Sequence, residues 1–87
     1  MEIPLITTTD IGLATALLTI GFSIDGTDPQ DRRRVVFYFK KTPELDKAIN
    51  AYWQRKLAVE PRGYEESRLE ILRKIHEYQG NQKLEQN

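Results

Sequence analysis

Residues 32–41 read RRRVVFYFKK, and this stretch decides the fold. Valine, phenylalanine and tyrosine favour strands, and successive side chains of a strand point to opposite faces. We therefore predict a strand whose first face packs on the core and carries Val35, Phe37 and Phe39. The second face carries Val36, Tyr38 and Lys40. This second face is expected to be partly exposed, or covered by another element or another subunit.

The segments before this strand predict a helix and the first half of a hairpin. Apolar residues recur at helical spacing over about residues 9–20, after a possible N-cap at Thr8, Thr9 or Asp10, and Gly21 suits the position just past the helix end. Residues 22–24 alternate in polarity and residues 25–31 are rich in turn formers, so a hairpin is predicted between strands 22–24 and 33–40. Residues 1–7 either form a short edge strand or lie along the core.

Two more helices are predicted after the strand. Thr42, Pro43 and Glu44 have the residue types of an N-cap, a first helical position and a first turn, which starts a helix over about residues 43–56. A third helix is predicted over about 62–79, with Gly80 as its stop. Its expected packing side carries Tyr64, Arg68, Ile71, Leu72, Ile75 and Tyr78, with Leu69 adjoining. Residues 57–59 are extended in character, before Glu60 and Pro61.

These elements predict an α+β fold in which a small antiparallel sheet is packed by three helices. The chain of 87 residues is expected to form one domain over residues 1–80, with a flexible tail at 81–87. A chain of this length buries roughly 60–65% of its unfolded surface, so oligomerisation is a plausible source of extra stability.

Composition narrows the classes of function. Thirteen basic and thirteen acidic residues cancel, which argues against a protein that coats nucleic acid generally. The absence of cysteine excludes disulfides and thiolate metal sites. The N-terminus, MEIPL, lacks the basic region of a signal peptide, and no apolar run reaches the length of a membrane span. We expect a soluble, cytoplasmic protein that has no contact with membranes.

Three segments together resemble a family of very small bacterial and phage proteins known only as a domain of unknown function. They are TTDI through LL to GF at residues 8–22, RVVF through TPEL to YW at residues 34–53, and VEPR at residues 59–62. The resemblance covers about residues 8–78. It implies a phage or mobile-element setting, and no activity, cofactor or catalytic residue.

Residue types that carry catalysis are sparse. The single histidine, His76, is expected to be an ordinary residue near a helix end, and no nucleophile elbow or phosphate-binding glycine loop is present. The spacing of Asp25, Asp28 and Asp31 is typical of turns and lacks the alternation of a calcium loop. The acids Glu65, Glu66 and Glu70 are typical of a solvated first turn of a helix. We therefore expect no enzyme, cofactor, metal or small-molecule substrate.

Binding has more support in the sequence. Five cations and one tyrosine surround the predicted strand, against the single local acid Asp31, and cations interleaved with an aromatic suit phosphate contact and base stacking. The candidate nucleic-acid contacts are Arg32, Arg33, Arg34, Tyr38, Lys40 and Lys41. Arg55, Lys56 and Arg62 would extend this patch if the second and third helices meet nearby. The alternative is that these cations only solubilise and protect a strand edge.

Association between proteins is the other hypothesis. The strand has apolar residues on both faces, and Tyr52, Trp53 and Tyr64 are residue types enriched at interfaces, unless they fill the core. The sequence thus favours a small non-enzymatic binding or adaptor protein, phage or mobile-element related, that forms a homo-oligomer, most simply a dimer. The alternative is a nucleic-acid-binding accessory protein that uses the basic aromatic strand 32–41.

Overall fold

The computed structural model describes residues 4–29 and 34–85, which form three helices and a three-stranded antiparallel sheet. In chain order the elements are β1 (Leu5–Thr8), α1 (Ile11–Thr19), β2 (Gly26–Pro29), β3 (Val35–Lys40), α2 (Pro43–Trp53) and α3 (Pro61–Glu85). The predicted α+β fold is confirmed.

Strand β3 lies at the centre of the sheet, whose order is β1-β3-β2. Its alternation is as predicted: Val35, Phe37 and Phe39 are buried, and Phe37 is fully buried. On the other face Val36 and Tyr38 are half-buried and Lys40 is exposed. Of the two alternatives left open for the N-terminal segment, the structure has the edge strand, since β1 pairs with β3 in the register Leu5 to Lys40.

The prediction of a hairpin strand at residues 22–24 is wrong, because the strand that pairs with β3 is β2 at Gly26–Pro29. The backbone amide of Phe22 donates to the carbonyl of Leu17 at 3.0 Å, so this residue takes part in the C-terminal cap of α1. Pairing begins when the amide of Asp25 donates to the carbonyl of Tyr38 at 2.7 Å. Phe22 and Ile24 pack against the core as a connector instead. Residues 57–59 form no strand either.

Both ends of α1 match the sequence signals. The Asp10 side chain accepts a hydrogen bond from the amide of Leu13 at 3.0 Å, which satisfies a free donor of the first turn. Gly21 follows the helix at a φ of 114°, a conformation that is easy only for glycine. The helix itself spans Ile11–Thr19, slightly less than the predicted 9–20.

Helix α2 starts where predicted and ends early. Thr42 accepts from the amide of Leu45 at 3.0 Å, with Pro43 as the first helical residue. The helix ends at Trp53, not at the predicted residue 56. Residues after Trp53 fold back on the last turn: the amide of Arg55 donates to the carbonyl of Tyr52 at 3.0 Å and that of Lys56 to the carbonyl of Ala51 at 2.8 Å. This pair of bonds is a Schellman motif.

Helix α3 is longer than predicted, since it passes through Gly80 and ends at Glu85. Glycine inside a helix costs about 1 kcal/mol relative to alanine, which weakens a helix without ending it. The predicted boundary between domain and tail at residue 80 therefore does not coincide with the end of the helix. Its packing face matches the prediction in part: Ile71 and Ile75 are buried and Leu72 packs against the core, whereas Arg68 and Leu69 are exposed. Helices α3 and α1 lie close together at Gly63, because a Cβ added there would lie 3.4 Å from Thr19 Cγ2.

One hydrophobic core lies between the sheet and the helices. Helix α1 is its centre, since it contacts both α2 and α3. The buried members of the core are Leu13, Ala14, Leu17, Val35, Phe37, Phe39, Leu45, Ala48, Ile71 and Ile75.

Candidate binding surfaces

The first candidate is the outer sheet face, which we define as the side of the sheet turned away from the core. It carries Leu5, Thr7, Gly26, Asp28, Val36, Tyr38 and Lys40, with Arg34 at the start of β3. Register brings these residues together, because Leu5 pairs with Lys40 and Asp28 pairs with Val36. Leu5 is 46% exposed. The face therefore has an apolar centre with charged side chains around it.

The predicted nucleic-acid contacts fall only partly on this face. Arg34 and Lys40 are exposed there beside the half-buried Tyr38, as the alternation of the strand predicts. Lys41 is exposed just after the strand, and its amide donates to the carbonyl of Pro4 at 2.9 Å. Arg32 and Arg33 lie outside the described residues.

Acidic side chains share the outer sheet face with these cations. Lys40 Nζ lies 3.7 Å from Asp25 Oδ1, and the hydroxyl of Tyr38 donates to Asp28 Oδ2 at 3.5 Å. Sequence reasoning placed both aspartates in a hairpin loop and so counted only Asp31 as a local acid. The face consequently has mixed charge and is not a uniformly basic strip.

The second candidate is an aromatic cleft at the end of α2. Its described lining residues are Tyr52, Trp53, Arg55 and Leu57, and its volume is about 480 Å³. Trp53 is 60% exposed, the most exposed of the large apolar side chains in the described part of the chain. The rings of Tyr52 and Trp53 meet edge to face, with centroids 5.0 Å apart and an angle of 82°.

Tyr52 connects the cleft to the start of α1. Its hydroxyl would lie 2.6 Å from a Cβ added at Gly12, so the absence of a side chain at that position makes room for it. Burial raises the pKa of Tyr52, and the charge of Asp10, the neighbouring Tyr64 and a hydrogen bond with Asp10 raise it further. This network holds the tyrosine in its neutral form.

Two alternatives were open for the aromatic residues, contact at an interface or packing in the core, and they apply to different residues. Tyr52 and Tyr64 are half-buried and pack among the helices, whereas Trp53 projects into solvent. Adjacent helical residues are about 100° apart around the axis, so Tyr52 and Trp53 do not both face the core. Nothing in the sequence distinguishes Arg55 from other cations. Its role in the cleft depends on the turn after α2, which the prediction placed inside the helix.

Residues considered for catalysis or metal binding are dispersed. His76 is exposed on α3, as are Glu65, Glu66 and Glu70. Among the side chains that the structure describes, in residues 4–29 and 34–77, no three of histidine, aspartate or glutamate group closely enough to hold a metal ion. No helix in these ranges is both long and apolar enough to cross a membrane.

Comparison with family models identifies the family of this chain. The family model described as "Domain of unknown function (DUF5659)" matches residues 4–81, which is most of the chain. No curated protein and no solved structure matches the chain.

Proposed function

Because this chain belongs to the DUF5659 family of domains of unknown function, we propose its role from its surfaces: it is a small non-enzymatic binding or adaptor protein that self-associates through the outer sheet face. The family resemblance predicted from residues 8–78 is confirmed, and its description carries no activity. A phage or mobile-element setting and a cytoplasmic location are parts of the proposal. They rest on that resemblance and on the absence of cysteine.

The observation that carries the proposal is the distribution of charge on the outer sheet face. Val36 and Tyr38 on the central strand form its apolar centre, and Leu5 adds an exposed apolar side chain on the edge strand beside Lys40, with cations and acids on the same surface. A twofold axis that exchanges the two ends of this face places Lys40 of one copy opposite the end that carries Asp28 in the other copy. The net charge of zero leaves no overall repulsion between copies.

The size of the face limits the strength of this association. Strands are spaced about 4.8 Å apart and rise about 3.3 Å per residue, so three short strands present a flat area of roughly 220 Å². Standard interfaces bury about 800 Å² on each partner. We therefore expect a weak dimer whose population depends on protein concentration in the micromolar range or above.

Nucleic-acid binding is the second candidate, because Arg34, Tyr38 and Lys40 share one face with Lys41 beside it. It ranks below self-association because Asp25 lies against Lys40 and Asp28 against Tyr38. Contact with a polyanion requires these acids to lie near phosphates, which opposes binding. The salt dependence of binding to a mixed oligonucleotide pool measures this candidate directly.

The proposal is tested by sedimentation or light scattering across a concentration series. The average mass should rise with concentration for the unmodified protein. The double variant Leu5→Arg, Val36→Arg should remain monomeric, because it replaces two apolar side chains of the face by cations, one at its centre and one at its edge. The matched control is Leu69→Arg, since Leu69 is 57% exposed on α3, away from the sheet.

Self-association should persist in the control variant. A constant monomer mass for the unmodified protein up to millimolar concentration would overturn the proposal. Equal loss of association in the control and the double variant would show that another surface mediates it.

A further inference from the structure

We propose that the aromatic cleft binds a short peptide segment in which an apolar or aromatic side chain lies next to a carboxylate. This inference concerns a surface other than the outer sheet face, so it stands whether or not the chain self-associates. Three features carry it: the exposure of Trp53, the backbone of Arg55 and the match of charge between cleft and ligand.

Trp53 is held in place yet left uncovered. The edge-to-face contact with Tyr52 orients the indole, and the hydroxyl of Tyr52 is itself anchored beside Gly12 and Asp10. More than half of the Trp53 surface nevertheless faces solvent. A fixed, exposed tryptophan offers a large contact area with little entropy left to lose, which is why tryptophan dominates many binding sites.

Arg55 occupies a backbone conformation that glycine prefers. Its φ is 62°, in the left-handed region, at the position after the helix where the end of α1 has Gly21. A residue with a Cβ is strained in this conformation. The presence of arginine here despite that strain supports a role for its side chain beside the indole. Among the described residues no acidic side chain forms an ion pair with Arg55. The guanidinium is therefore available to a ligand.

The chemistry of the lining selects the ligand. A guanidinium pairs with a carboxylate through two parallel hydrogen bonds, and the indole and Leu57 supply apolar contact for a neighbouring side chain. A nucleotide would also offer a ring for the indole, but a terminal phosphate brings a charge of nearly two where the described lining offers one cation. The volume of about 480 Å³ suits a segment of peptide.

Tryptophan fluorescence tests the inference, because Trp53 is the single tryptophan of the chain. The probe is a blocked tetrapeptide Gly-Phe-Glu-Gly, compared with Gly-Phe-Gln-Gly and Gly-Phe-Lys-Gly. The glutamate peptide should shift the emission to shorter wavelength with a saturable titration. The other two peptides should bind at least about tenfold more weakly than the glutamate peptide, because they lack the hydrogen bond between charged groups.

Variants separate the cation from the fold. Arg55→Gln should weaken binding of the glutamate peptide by about tenfold or more, and Arg73→Gln, at another exposed arginine, should leave it unchanged. Arg55→Gly removes the cation while relaxing the backbone, so it should lose binding in a fully folded protein. The outer-face variant Leu5→Arg, Val36→Arg should still bind the peptide, which separates this inference from self-association.

Three results would overturn the inference. The first is no saturable shift at millimolar glutamate peptide. The second is equal binding of the glutamate and lysine peptides. The third is tighter binding of adenosine monophosphate than of the glutamate peptide, which would assign the cleft to nucleotides.

Discussion

The hydroxyl of Tyr52 lies 2.6 Å from the point that a Cβ at Gly12 would occupy. The hydroxyl of a tyrosine on α2 thus occupies the space that a side chain would fill at a glycine in the first turn of α1. The contact positions Tyr52 beside Asp10, whose carboxylate also caps that helix. The start of one helix and the end of another are thereby joined next to the aromatic cleft.

This contact makes the effect of Gly12→Ala depend on Tyr52. In an ordinary helix the change would stabilise the protein by about 0.5–1 kcal/mol. Here the new methyl group displaces the tyrosine hydroxyl, and losing its hydrogen bond costs about 0.5–1.5 kcal/mol. We expect Gly12→Ala to be neutral or destabilising in the unmodified protein and stabilising in the Tyr52→Phe background, with urea unfolding as the measurement.

The double-mutant cycle supplies its own control. Asp10 Oδ1 also lies 3.2 Å from this Cβ position in the unmodified protein, and both backgrounds retain Asp10, so the comparison changes only the tyrosine hydroxyl. The same change in unfolding free energy in both backgrounds would contradict the steric role of the hydroxyl.

Tyr52 should also make stability fall at alkaline pH. Burial, followed by the charge of Asp10, raises the pKa of Tyr52. The folded protein therefore holds this proton more tightly than the unfolded chain, whose tyrosines titrate near pH 10. Its contribution is fully present below that pH and is lost as the pH rises toward the folded pKa. Urea unfolding at a series of pH values should show a steeper alkaline decline for the unmodified protein than for Tyr52→Phe. Parallel declines would exclude this residue as the source.

Arg55→Gly should stabilise the fold. A left-handed conformation costs a residue with a Cβ about 1–2 kcal/mol, and glycine avoids this steric cost at the price of a more flexible unfolded chain. We expect a net gain of about 0.5–1 kcal/mol in unfolding free energy. The control is Gln54→Gly, because Gln54 has a φ of −83° in the helical region and should lose stability on becoming glycine. A loss of stability at both positions would contradict the assigned backbone strain at Arg55.

The sequence predicts elements well where local signals and packing agree. The alternation in β3 and the cap formed by Thr42 and Pro43 are strong local patterns, and both match the structure. Strand β2 reads GTDP, in which only the threonine favours strands, and it is a strand because an edge of β3 pairs with it. Phe22 and Ile24 alternate like a strand but serve as a connector from α1.

The sites were harder to predict because they depend on that pairing and on a turn. Asp25 reaches Lys40, and Asp28 reaches Tyr38, only because β2 pairs with β3 in this register, so misplacing the strand hid the mixed charge of the outer sheet face. The aromatic cleft depends on where α2 ends, since Arg55 lies beside Trp53 only when the chain turns back there. Exposure of Leu69 on α3 has no counterpart in the sequence pattern, which placed it beside the packing side.

Removing the acids of the outer sheet face should have opposite effects on its two proposed interactions, nucleic-acid binding and self-association. Asp25→Asn with Asp28→Asn removes the two acids that the described residues place on this face, so binding to an oligonucleotide pool at low salt should strengthen severalfold and depend more steeply on salt. Self-association should weaken, because a twofold contact between mixed faces loses its complementary charges. Glu65→Gln with Glu70→Gln is the matched control, since it changes net charge equally at exposed positions on α3.

If the control strengthens oligonucleotide binding as much as the aspartate variant does, net charge and not the outer sheet face governs contact with nucleic acid. If the aspartate variant associates as strongly as the unmodified protein, charge pairing across the face does not hold the copies together.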